Sequence, residues 1–235
     1  MDIENYFHIK NTSLSFTRQH ASDFAKIVAS DFNPIHDVEA KRFCVPGDLI
    51  FAVIIHHYGL YKEMTFRFSG MVRETSQLLL PDCNAHQISI NDVNEKKYLD
   101  INCAGKSSNN QKLIESLTCS YVKFSGQVFP HILLPLMRQE NVMMNPDRPL
   151  IIYDSISLSL DTLDAEEVTL ELTNSRLDVN GKRGDVTLDY AILSNGEILG
   201  SGQKNMIVSG LRGFDDEEMS KLLSAFNRRK DSYFS

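Results

Sequence analysis

The chain has 235 residues, 42% of them hydrophobic and 23% charged, with a formal charge of −7. These values fit a folded chain of one large or two small domains and argue against disorder. The negative balance argues against a nucleic-acid partner and against docking on anionic lipid, which both call for a basic surface. The start, Met1-Asp2-Ile3-Glu4-Asn5, is acidic and lacks the basic and apolar segments of a signal peptide. No run approaches the roughly 18 apolar residues of a membrane helix. The four cysteines (Cys44, Cys83, Cys103 and Cys119) have no paired spacing and read as reduced thiols of a cytoplasmic protein. No metal is expected, because there is no Cys-x-x-Cys, and adjacent His56 and His57 point ~100° apart on a helix.

In chain order, a strand is predicted around Ser13–Phe16. A short helix follows over Ser22–Ser30, with Ser22 as its cap and Phe24, Ile27 and Val28 as its stripe. It leads into Asp31-Phe32-Asn33-Pro34-Ile35-His36-Asp37. Pro34 excludes Asn33 from helical geometry, so this is a turn that could aim a carboxylate and an imidazole at one small molecule. Glu39–Phe43 reads as a helical turn with Lys41 and Arg42 exposed, a solvated pair or a contact for a substrate phosphate. Asp48–Tyr58 is a helix capped by Asp48 and closed by Gly59. Leu49–Ile55 within it is apolar on every side and must be buried all round.

Strands are then expected at Met64–Ser69, Gln87–Asn91, Lys97–Ala104 and Leu113–Phe124, separated by Pro81-Asp82, Asn91-Asp92 and residues 105–110. The second half repeats the order without the sequence. A helix is predicted over Pro130–Met143, delayed or kinked by Pro135. Strands follow near Leu150–Leu160, Glu167–Leu177, Asp185–Leu193 and Glu197–Val208, with hairpin turns at Asn180-Gly181 and Asn195-Gly196. A charged helix closes the chain over Asp215–Lys230, where Arg228, Arg229 and Lys230 complement its dipole.

Asp31-x-Asn33-Pro34-x-His36 followed by a buried helix resembles the MaoC-like (R)-specific enoyl-CoA hydratases of the hotdog superfamily. Three positions depart from that pattern. Ala29-Ser30 stands where the family has Ser-Gly, Asp37 follows His36 directly instead of one residue later, and Val45-Pro46-Gly47-Asp48 replaces a His-Gly pair. The Pro-Gly pair is closer to hotdog dehydratases of fatty-acid synthesis. The resemblance implies an α+β hotdog fold, in which an antiparallel sheet wraps a central helix. The repeated order extends this to a double hotdog, with residues 1–126 carrying the motif and 127–235 forming a degenerate unit with a helical tail.

It further implies water addition to, or removal from, a 2-enoyl thioester, with Asp31 and His36 as the catalytic pair. Asn33 would shape the turn, and the backbone N–H groups at Gly47 and Asp48 would hold the acyl carbonyl. No cofactor is implied. The partner would be an acyl-CoA or acyl-carrier thioester bound by a monomer or homodimer. Two other readings remain open: a non-catalytic acyl-thioester-binding protein, and a thioesterase in which Asp31 activates water against the carbonyl.

Overall fold

The computed structural model describes residues 1–82, 86–146 and 149–233; Cys83 lies outside them. Two short strands, β1 (His8–Lys10) and β2 (Ser13–Ser15), lead to helix α1 (Arg18–Asp23). The helix predicted from Ser22 thus starts earlier. Thr17 caps it, accepting from the His20 N–H, while the His20 ring accepts from the Thr17 N–H. Ser22 is buried in its interior. A wide π-turn over Phe24–Val28 continues it. Residues 39–43 form turns, not a helical segment, and Lys41 and Arg42 are exposed.

Helix α2 (Gly47–Tyr58) is buried from Asp48 to Ile55 and ends at Gly59, whose φ of 82° favours glycine. Then come β3 (Leu60–Phe68), β4 (Leu78–Leu79), β5 (Gln87–Asp92) and β6 (Lys97–Ser108).

The stretch expected as the longest strand of this half, 113–124, is instead helix α3 (Gln111–Gly126), capped by Asn110. Its β-branched and aromatic residues favour strand locally. Its buried positions (Leu113, Ile114, Leu117, Thr118, Tyr121, Val122, Ser125) nevertheless follow helical spacing, and burying that stripe decides the outcome.

The helix expected over 130–143 divides into a π-turn at Phe129–Leu133 and α4 (Leu134–Gln139), with Pro135 in the first turn of α4. Short β7 (Val142–Met143) is followed by β8 (Ile151–Leu160), β9 (Thr169–Asn180), β10 (Arg183–Ser194) and β11 (Glu197–Ser209). At the β10–β11 turn, Asn195 and Gly196 both have positive φ, as a type I′ hairpin requires. Residues Arg212–Gly213 (β12) pair with β7, and α5 (Asp216–Tyr233) ends the described chain.

Among the described residues ten strands form one antiparallel sheet, ordered β1-β2-β4-β5-β6-β3-β8-β11-β10-β9. The halves meet edge to edge where β3 pairs with β8, from Glu63 opposite Ser159 to Arg67 opposite Ser155. One core packs α2 and α3 against inward residues of both halves, including Phe66, Ile101, Ile156 and Tyr190. A second gathers Leu133, Met137, Leu188, Met206 and Met219 under α4 and α5.

Candidate active site

The Asp31–His36 turn is held from three directions. Ser30 leaves α1's π-turn at a positive φ of 54°, and the Asp31 N–H donates to the Ala25 carbonyl at 2.8 Å. The end of α3 presses on the turn from below. A methyl group at Gly126 would overlap the Ala29 carbonyl, so only glycine allows this approach. Within the turn, the Asn33 N–H donates to Asp31 Oδ1 at 2.9 Å, and Asn33 Oδ1 accepts from the Ile35 N–H at 3.2 Å. The Asn33 side chain therefore shapes the loop, and Pro34–His36 closes as one 3-10 turn.

His36 Nδ1 lies 2.7 Å from the Cys44 carbonyl oxygen. A carbonyl only accepts, so Nδ1 carries the proton, and in neutral His36 Nε2 keeps a lone pair. Nε2 faces Asp31 Oδ2 at 3.6 Å, too long for a direct hydrogen bond. The two groups thus share an orientation rather than saturating each other. Burial pushes the Asp31 carboxyl above its ordinary range, against the opposing pull of His36 and the Asn33 N–H.

Gly47 and Asp48 open α2, but Asp48 is not its cap. Pro46 occupies that position, and the Asp48 side chain turns inward. Asp48 Oδ2 accepts from Ser125 Oγ at 2.6 Å and from the Tyr153 hydroxyl at 2.9 Å, while Oδ1 lies 3.4 Å from Lys204 Nζ. Lys204 is fully buried. Its ammonium also donates to Ser125 Oγ and sits 3.7 Å from the Tyr153 ring centroid. Burial lowers the Lys204 pKa, although Asp48 opposes this. Burial and the Asp48 carboxylate hold the Tyr153 phenol well above its usual value, so it stays protonated and donates. The Tyr153 ring packs so closely on Gly47 that a methyl there would strike it.

These parts meet at a cavity of about 540 Å³. Asp31, Asn33, His36 and Gly47 line it, with Ser125 and Tyr153 from the buried network. Asp48 lies behind this lining, one residue from Gly47. Much of the remaining wall is apolar: Phe68, Val72, Met144, Ile151, Met206 and Phe226. Cys44 also faces the cavity, but burial raises its thiol to about 11, which disfavours a thiolate at neutral pH. Among the described residues, no group of three His, Cys, Asp or Glu side chains is placed to hold a metal ion. No helix among them is long and apolar enough to cross a membrane.

The family described as "Protein of unknown function (DUF3581)" matches residues 1–217. The chain belongs to the DUF3581 family. All of α5 except its first two residues lies beyond the matched stretch. No curated protein matches this DUF3581 member. Solved structures similar to it include a MaoC-like dehydratase, at 8% identity and a TM-score of 0.44, covering 87% of this chain and 98% of that one. An acyl-CoA thioesterase II from Mycobacterium marinum matches at 10% identity and a TM-score of 0.43, covering 92% and 100%. The dehydratase domain of a curacin polyketide synthase module matches at 9% identity and a TM-score of 0.42, covering 89% and 96%.

Sequence reading missed Ser125, Tyr153 and Lys204. For Lys204 a signal exists: it is in phase with Met206 and Val208 on β11, which point inward. A lysine in register with core residues is a buried lysine. Tyr153 and Ser125 carry no comparable signature, because each meets Asp48 only through tertiary packing.

Proposed function

We propose that this DUF3581 protein is a double hotdog acting on an acyl thioester, adding water to a 2-enoyl thioester or removing it. The units are residues 1–126 and 127–235, joined at the β3–β8 seam and serving one site. The observation that carries the reading is that Asp31 and His36 face one largely apolar cavity, held 3.6 Å apart and not bonded to each other.

In the hydration direction, water bound between the two groups attacks the β-carbon. His36 Nε2 takes a proton from that water, and the alkene's electron pair moves to the α-carbon. That carbon takes its proton from the Asp31 carboxyl, whose raised pKa suits a proton carrier. A second proton transfer, from His36 to Asp31, restores the pair. The α2 start, which meets the cavity at Gly47, supports the negative charge that develops on the thioester carbonyl oxygen.

The test is turnover of crotonyl-CoA, followed by loss of the enoyl absorbance and by free-thiol release. Asp31→Asn and His36→Ala should each lower hydration by about 10²-fold or more. The double variant should lose little beyond the worse single, because both groups serve one proton relay. Unchanged turnover in both single variants overturns the assignment. Thiol release without hydration makes the protein a thioesterase. Binding with neither product makes it a non-catalytic acyl-binding protein.

A further inference from the structure

We infer that α5 is the wall that limits the length of the acyl group, with Phe226 as its stop; this rests on the acyl-thioester reading above. Leu222, Ala225 and Phe226 present the helix's inner side to the cavity, while most of the rest of α5 is exposed. Phe226 is 9% exposed and set edge-on to Phe32, with ring centroids 6.0 Å apart at 88°. On its other side it leans on Phe129 at 5.5 Å. Because Phe32 directly follows Asp31, the stop is built against the catalytic turn itself.

The wall is also fastened there. Arg229 on α5 pairs with Asp37, the residue after His36, and Lys26 holds the other Asp37 oxygen at 2.9 Å. Farther along, the Tyr233 hydroxyl donates to Asp23 at 3.4 Å. A thioester placed at Asp31 and His36 sends its acyl chain into the apolar part of the cavity, where Met206 and Met144 yield but the clamped Phe226 ring does not. Since the family match ends at residue 217, this wall is contributed almost entirely by sequence beyond it.

The experiment is calorimetric titration with S-alkyl-CoA thioethers, from butyl to tetradecyl, which can be neither hydrated nor cleaved. In the wild type, affinity should rise about fourfold per methylene and then stop rising at one chain length. Phe226→Ala should move that break to longer chains, and Ala225→Phe, which adds bulk to the same wall, should move it to shorter ones. Opposite shifts from two substitutions on one helix cannot come from general loss of fold. If the thioethers bind and the break stays at the same length in both variants, the wall assignment is wrong while the acyl-thioester reading stands. If no thioether binds the wild type, the acyl-thioester reading itself fails.

Discussion

Replacing Lys204 with methionine keeps most of the side chain's bulk and removes its charge. Asp48 Oδ1 then loses its cation in an interior site, while Oδ2 keeps the Ser125 and Tyr153 hydroxyls. Breaking a buried pair by removing one partner costs about 3–5 kcal/mol. The two remaining donors place Lys204→Met near 3. At about 2.1 cal/mol/K of unfolding entropy per residue, 235 residues give ~0.5 kcal/mol/K, so the thermal midpoint should fall by about 6 °C. Scanning calorimetry reads this directly. Asp48→Asn in the Lys204→Met background removes the stranded charge and leaves a neutral acceptor for the two hydroxyls. The double variant should therefore be more stable than Lys204→Met alone, with a coupling energy of about 1–3 kcal/mol. If the two single losses simply add, the carboxylate and the ammonium are not one unit and the reasoning is refuted.

Asp31→Asn should lower activity without lowering the midpoint at neutral pH, because the amide keeps the Asn33 N–H bond and has no ionisation for folding to oppose. The folded-state pKa of Asp31 is raised above its unfolded value, so folding opposes its ionisation, and the resulting cost fades as pH falls from the folded pKa to the unfolded one. Melting curves over that range should show the stability advantage of Asp31→Asn shrinking with acidification; an advantage that grows would reverse the assignment. Gly126→Ala should destabilise by about 1–3 kcal/mol and lower turnover in the same variant, since the added methyl displaces the Ala29 carbonyl beneath the turn. Urea titration and the crotonyl-CoA assay together check it, and a variant equal to the wild type in both would show that the α3 end does not position Asp31.

Helix α2 was legible because an unbroken apolar run from Leu49 to Ile55 has only one place to go. The Asp31–His36 turn was legible because Pro34 and Asn33 impose it locally. Helix α3 was not, because Ile114, Thr118, Tyr121 and Val122 favour strand while their spacing favours helix, and only burial of the stripe in the tertiary core decides between the two. Asp48 misled for a related reason. An aspartate at a helix start has a ready local role, whereas its partners here come from α3, β8 and β11. Arg229 read as a dipole charge, and its contact with Asp37 spans most of the chain, beyond the reach of any local pattern.

The β3–β8 seam changes how the site answers to concentration. A cavity shared between separate chains exists only while they are associated, so dilution empties the solution of complete sites. Here residues of both halves reach the same cavity along one polypeptide, and the partner edge is always at hand. What the seam contributes to the site is then completed as one chain folds. Only one Asp-x-Asn-Pro-x-His stretch serves the pair, so a ligand acting at it should bind at one equivalent per chain, with a specific activity indifferent to dilution.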